Sequence, residues 1–340
     1  MVRKLALLAL VILVASGLGY WWLRARLNTP YRGFDAPEVF IDLPQGSSVS
    51  SIGSRLAAQG VVADAWTFRL AARIARVERT MQAGEYRFAE AASPLQVVRR
   101  IADGDVFVQP LTFPEGKTIR EMAEIFEASG IGTADEFRQA AGDLSLLAEL
   151  DPDARSLEGY LFPDTYALAR SMGAAGVVRA MVERFAQVLT PEVRRAISGS
   201  GMTLREVVTL ASIVEKETGS AGERPMVAAV YLNRLRIDMP LQCDPTVIYA
   251  LMLAGRWRGN LTRDHLRLES PYNTYRYPGL PPGPIASPGR ASILAVLDPA
   301  PVPYLYFVSR NDGSHVFAST LSEHNRNVAR WQVRYFQKQP

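Results

Sequence analysis

In Thr203-Leu204-Arg205-Glu206 a hydroxyl stands three residues ahead of a carboxylate, the spacing at which each side chain can cap the other's backbone N–H. It predicts a helix beginning at Leu204 and running through Val207, Val208, Leu210, Ala211, Ile213 and Val214 to Lys216 or beyond, with Gly219 ending it. At about 100° per residue, Leu204, Val208, Ala211 and Glu215 share one narrow stripe, so a carboxyl group sits on the line of apolar side chains that should face the core. Burial penalises the charged form of a carboxyl group, which is how such a group keeps its proton near neutral pH and serves as a general acid. A helix-end ion pair with an arginine such as Arg224 or Arg234 accounts for Glu215 equally well at this stage. Glu217 lies about 200° further round the helix and is expected to point elsewhere.

The elements that must carry this helix begin at the N-terminus. Arg3 and Lys4 precede Leu5 to Leu23, an uncharged run that would span about 28 Å as a helix, close to one bilayer core. Ala15, Ser16 and Gly17 would suit a cleaved signal peptide. The aromatic belt Tyr20, Trp21 and Trp22, followed by Arg24 and Arg26, instead favours a retained anchor. Asn28 to Pro37 is polar and rich in Pro and Gly and reads as a linker that lets the rest stand clear of the membrane.

A weak internal repeat follows. Phe40-Ile41-Asp42-Leu43-Pro44-Gln45-Gly46-Ser47-Ser48-Val49 is echoed by Leu111-Thr112-Phe113-Pro114-Glu115-Gly116-Lys117-Thr118-Ile119. Each copy predicts a short strand, a Pro-x-Gly turn, a Ser or Thr cap and an amphipathic helix ending near Gly60 or Gly130. The unit resembles half of a LysM module, a small fold that binds N-acetylated wall sugars, and is equally a common βα unit. Between the copies, Thr67 to Val77 predicts a helix, Ala83 to Phe88 a turn and strand, and Pro94 to Ala102 a second helix. Ala134 to Leu150 predicts one further helix.

Composition narrows the function. The chain has 340 residues, 48% hydrophobic and 21% charged, and its formal charge of +4 is spread singly with no basic stripe, which speaks against nucleic acid. One cysteine, Cys243, leaves no internal disulfide, and three scattered histidines make a dedicated metal site improbable. His265, His315 and His324 stand in no nucleophile motif, so no Ser-His-Asp arrangement is expected.

The helix carrying Glu215 belongs to an ordered series. Leu157-Glu158-Gly159-Tyr160-Leu161-Phe162-Pro163-Asp164-Thr165-Tyr166 comes first, then Val214-Glu215-Lys216-Glu217-Thr218 and Tyr231-Leu232-Asn233-Arg234-Leu235. Leu241 to Tyr249, Ser270-Pro271-Tyr272-Asn273-Thr274-Tyr275, Gly279 to Ile285 and Tyr304 to Val308 complete it. Together these segments resemble the YceG-like family of endolytic murein transglycosylases over nearly the whole chain.

The resemblance implies a mixed α+β fold: a cytoplasmic tail at 1–4, a single transmembrane helix at 5–24, a linker at 25–37, a LysM-like glycan-binding region at 38–150 and a mixed α/β catalytic domain at 151–335. It places the protein in the bacterial inner membrane with the catalytic domain in the periplasm. The family's catalytic glutamate maps to Glu215. Gln242, Asn273, Tyr272, Thr246, Asn233 and Tyr160 are candidate sugar-binding residues, offering amides, hydroxyls and flat rings. Glu158, Asp244 and Glu217 are candidate supporting carboxylates, and Cys243 reads as packing. The expected partners are glycan strands of peptidoglycan and the membrane, with peptidoglycan synthases as candidates, and neither cofactor nor metal is implied. Two rival readings are a hydrolytic muramidase using Glu158, Glu217 or Asp244 as second carboxylate, and a non-catalytic glycan-binding scaffold.

Overall fold

The computed structural model describes residues 2–169 and 172–333; Met1 and the limit of 335 expected for the last domain lie outside them. The chain divides into two compact units, one running to Pro110 with a short return from Ala167, the other holding Leu111–Tyr166 and the chain from Met172 onward.

The first unit opens with α1 (Val2–Asn28), the one helix among the described residues long and apolar enough to cross a membrane by length and composition. Its flank is open, with Leu13 and Trp21 about 70% exposed. After it come β1 (Val39–Leu43), α2 (Val49–Ala58), α3 (Ala65–Ala75), β2 (Gly84–Phe88) and α4 (Pro94–Ala102). β1 pairs antiparallel with β2, Val39 opposite Phe88 and Leu43 opposite Gly84, so Ile41, Leu43, Tyr86 and Phe88 share one buried face. Ile52, Leu56, Phe68, Val97, Val98 and Ile101 of the three helices close over it.

The end of α1 belongs to this core. Leu27 is 3% exposed among those side chains, Arg26 meets Asp64, and Tyr31 and Ala92 exchange both backbone hydrogen bonds. The expected linker therefore begins after Asn28 and is tied down. Apolar burial and two main-chain bonds outweigh the flexibility that its Pro and Gly content suggests.

The chain passes between the units in β3 (Gln109–Thr112) and β4 (Thr165–Leu168), which pair. The second unit continues with α5 (Ile119–Ala128), α6 (Ala134–Ala140), α7 (Gly173–Val188), α8 (Pro191–Ser200), α9 (Leu204–Glu217), α10 (Arg224–Arg236), α11 (Asp244–Leu253) and α12 (Arg290–Leu297). It ends with the hairpin β5 (Tyr306–Ser309) and β6 (His315–Ala318) and with α13 (Leu321–Val328). Both copies of the repeat form the strand, turn and helix expected, and the second copy falls in this unit.

The single helix expected over Ala134 to Leu150 stops at Ala140. Asp143 accepts a hydrogen bond from Ser145 N and starts a separate 3-10 turn, Leu144–Leu147, after Gly142.

α9 is the axis of the second unit. Its capping box is complete: Glu206 N donates to Thr203 Oγ1 at 3.2 Å and Thr203 N donates to Glu206 Oε2 at 2.7 Å. Every residue from Val207 to Val214 is buried, with α10, α11 and α12 packed around it. Such enclosure leaves only the two ends of the helix, the first turn before Val207 and the last from Glu215, where a polar side chain can reach an opening.

Candidate active site

Glu215 stands where the buried run of α9 ends, its side chain 7% exposed. Val208 and Ala211 on the same stripe are fully buried, as the helical spacing requires, but the carboxylate itself is met by donors. Arg224 Nη2 donates to Oε1 at 3.2 Å, while Ser292 Oγ and the Gly289 N–H both donate to Oε2, at 2.7 and 3.0 Å. Arg224 also donates through Nε to Ser292 Oγ at 3.1 Å, locking the serine's acceptor side and aiming its proton at the carboxylate. The ion-pair reading of Glu215 is thus borne out with Arg224, whereas Arg234 is used elsewhere, on the carbonyls of Leu305 and Leu241.

Three elements supply these groups for reasons visible in the chain. Arg224 is the first residue of α10, with Pro225 behind it fixing the first turn, and Glu223 beside it accepts the His315 N–H at 3.0 Å. Gly289 is the N-cap of α12, so its N–H and the positive end of that helix both face the carboxylate. Ser292 follows within the first turn of the same helix.

The Pro114–Lys117 turn, the second copy of the repeat, closes the opposite side. Gly116 N donates to Ser287 O and Ser287 N to Lys117 O, both at 2.9 Å, and Lys216 Nζ donates to Gly116 O at 3.1 Å. Gly116 needs its glycine for its backbone, whose φ is +73°, and it lies close against the site, a methyl there meeting Glu215 Cγ at an ordinary contact distance of 3.6 Å. The turn delivers Glu115 to the site, its Oε2 3.7 Å from Arg224 Nη2 and its side chain 47% exposed. Burial, and then the nearby Glu215 charge, push the Glu115 carboxyl up from its ordinary value against the pull of Arg224.

The other sequence-predicted residues sit in three places. Glu158 is buried beneath the start of α5, accepting from Ile119 N at 3.1 Å and Tyr249 OH at 3.2 Å; desolvation pushes it up to about 8 in spite of those donors. Tyr272 is half-buried and its ring lies 5.0 Å from that of Tyr249.

On the far side of the last turn of α9, Glu217 is enclosed, its Oε1 accepting a hydrogen bond from the Cys243 thiol at 3.1 Å, and burial raises both groups. Gln242, in the left-handed region at φ 51°, and Asp244, which accepts from Tyr275 OH at 2.6 Å, are exposed beside this cluster.

The third set is internal to the fold. Tyr160 is 1% exposed and donates to Asp151; Thr246 is fully buried on Cys243 O and Thr274 Oγ1; Asn273 is fully buried and donates to Leu266 O and Leu268 O. Asn233 spends its amide on Val302 O and Tyr304 O. These four were expected to face sugar, and the structure instead has them satisfying backbone and neighbouring polar groups that burial would otherwise leave unpaired.

Sequence reasoning missed Glu115, Gly289 and Ser292. The signal for Glu115 was present: the first copy of the repeat has Gln45 where the second has an acid. Size does not select the site either. A hollow of about 760 Å³ lies toward the start of α9 among Met202, Arg205, Leu235 and Pro281 and excludes Glu215, and its Glu206 is spent on the capping box. A second hollow of about 690 Å³ reaches Arg224.

An apolar N-terminal helix, a mixed α+β architecture, and a buried helix ending in a carboxylate clamped by arginine, serine and a helix N-terminus define the class to which this chain can be compared. It belongs to the YceG-like family, whose model matches residues 41–330. It is 30% identical to the endolytic murein transglycosylase of Bacillus subtilis over 85% of this chain and 83% of that protein. It is also 30% identical to the protein of the same name from Streptococcus pneumoniae over 95% of this chain, which spans 64% of the pneumococcal protein's length. The crystal structure of a YceG-like protein from Listeria monocytogenes superposes with a TM-score of 0.59 at 31% identity, covering 85% of this chain and 98% of that one.

Proposed function

We propose that this protein is an endolytic lytic transglycosylase that cuts the bond between N-acetylmuramic acid and N-acetylglucosamine within nascent peptidoglycan strands, ending their elongation. The observation that carries the reading is Glu215, a carboxylate held by three donors at the end of an otherwise buried helix, in a chain whose relatives bear that enzyme's name.

Glu215 gives its proton to the glycosidic oxygen as the C1–O bond breaks, and the glucosamine leaves with a free 4-hydroxyl. The resulting carboxylate then takes the proton of the muramoyl C6 hydroxyl while that oxygen bonds to C1. The acid is regenerated, no water is consumed, and the strand ends in a 1,6-anhydro sugar. Arg224, Ser292 and the Gly289 N–H hold the carboxylate in one orientation through both transfers.

A hydrolytic muramidase would need a second carboxylate open to water. Glu217 and Glu158 are enclosed, Asp244 is tied to Tyr275, and Glu115, though half-exposed, draws on the same Arg224 guanidinium that clamps Glu215, which favours the one-carboxylate route. The first unit, with its βα repeat, is assigned to glycan binding, α1 to anchorage in the inner membrane with both units in the periplasm, and peptidoglycan synthases to partnership at the growing strand.

Purified protein incubated with uncross-linked strands should release ends one water lighter than a reducing sugar, read by mass spectrometry. Glu215→Gln should lower the rate by about 10²- to 10⁴-fold without unfolding the chain. Reducing ends as the main product would replace the lyase by the muramidase. Intact strands with the wild-type protein would leave the scaffold reading, and full activity in Glu215→Gln would remove that residue from the chemistry.

A further inference from the structure

We propose that Glu115 is a positioning residue for Glu215: it competes for the Arg224 guanidinium and so decides how much of that positive charge the catalytic carboxyl group meets. The inference rests on the acid-base role of Glu215 proposed above and adds a second acidic residue to the site.

The geometry is a shared cation. Arg224 Nη2 lies 3.2 Å from Glu215 Oε1 and 3.7 Å from Glu115 Oε2, so one nitrogen answers to both carboxylates. A general acid clamped by a guanidinium gives up its proton too early to be useful, since an adjacent cation favours the ionised form. A second carboxylate drawing on the same guanidinium opposes that effect and leaves the clamp in place.

Glu115 lies where it can do this. A Cβ built on Gly289 would fall 1.9 Å from Glu115 Oε1, so the carboxylate lies directly over the residue whose N–H binds Glu215. Any side chain at 289 would displace it. The turn beneath is fixed from three sides, by Ser287, by Lys216 and, through Ile119 N, by the buried Glu158. The two charges also act on each other, since the Glu215 carboxylate is among the causes that raise Glu115.

Other charges nearby are accounted for. Lys117 is paired with Glu121, Lys216 points its ammonium at Gly116 O, and Glu223 is held by His315. Arg290, next to Gly289, is exposed. The repeat sharpens the assignment: the corresponding turn in the first unit, Pro44-Gln45-Gly46, keeps the glycine and a side chain of the same shape but lacks the charge.

The test is the pH profile of strand cleavage by the full-length protein in detergent, comparing wild type with Glu115→Gln and Glu115→Asp, and with Glu215→Gln as control. In Glu115→Gln the arginine belongs to Glu215 alone. The alkaline limb of kcat should therefore move to lower pH by about one unit, with kcat at neutral pH down roughly tenfold and KM within about twofold. Glu115→Asp restores the charge and should return most of the profile. Should Glu115→Gln not fold, Glu115→Asp still reads the effect, as a smaller displacement in the same direction.

An alkaline limb that stays in place in both variants, whatever the rate, would overturn the proposal, as would a change confined to KM. Wild-type activity in the Glu215→Gln control would instead remove the reading on which the proposal rests.

Discussion

Glu158 is a carboxyl group with nowhere to put a charge. It is buried, it receives one backbone N–H and one phenol, and desolvation carries it from an ordinary 4.5 to about 8. The folded chain therefore keeps its proton through a range in which the unfolded chain has already ionised. Below about pH 4.5 the two states are protonated alike and the group costs nothing. As pH rises toward 8, ionisation favours the unfolded chain more and more, and above 8 both states are charged and the loss levels off. Glu158→Gln keeps the acceptor for Ile119 N and cannot ionise, so its melting temperature, measured against wild type, should gain several degrees between about pH 5 and 8 and then run parallel. Curves parallel throughout would mean that Glu158 ionises as freely in the folded chain as in the unfolded one.

Elements were more legible than the contacts between them. The helix carrying Glu215 was readable because Thr203 and Glu206 fix its start and because apolar side chains from Val207 to Val214 leave no other conformation able to bury them. Both Pro-x-Gly turns and their capped helices followed from the same local rules. What the sequence conceals is which elements meet. Glu115 and Ser292 lie 177 positions apart (292 less 115), and although Arg224 could be named as a partner for Glu215, nothing in the sequence brings all three to one site. The reading of the Pro-x-Gly turns as part of a sugar-binding or common βα unit came from judging them as local structure alone. The second turn lies against the last turn of α9 through Lys216 and Gly116, a long-range contact. Asn273, Thr246 and Tyr160 failed for the opposite reason. Amides, hydroxyls and phenols suit sugars, and they equally suit buried backbone, and burial is invisible until the loops carrying them are placed. The break after Ala140 shows a local rule overriding periodicity, because a glycine followed by a capping aspartate starts a new turn more cheaply than it continues an old one.

At the scale of the whole molecule, α1 carries two kinds of surface that meet near its end. From Leu10 to about Trp22 its side chains are broadly exposed and apolar, fit for hydrocarbon, while Leu27 is 3% exposed within the core of the first unit. Trp22 lies under the Arg26 guanidinium at 5.5 Å, and Arg26 in turn meets Asp64 and Thr67 at the start of α3. The apolar helix is thus continuous with the fold that follows it. Removing a fully packed leucine costs about 2–5 kcal/mol, whereas the half-exposed Arg26–Asp64 pair contributes little by comparison. A chain beginning at Arg24 should therefore unfold in its first unit at nearly the temperature of the full-length protein. A chain beginning at Thr29, shorter by only five residues and lacking no part of β1 or of the three helices that follow, should unfold well below it. Leu27→Ala in the longer chain should reproduce most of that loss, and Arg26→Ala little of it. Thermal unfolding followed by circular dichroism, with hydrogen exchange to locate the loss in residues 39–102, reads the difference. Equal unfolding of the two truncated chains would mean that the end of α1 only rests on the unit and adds nothing to its stability.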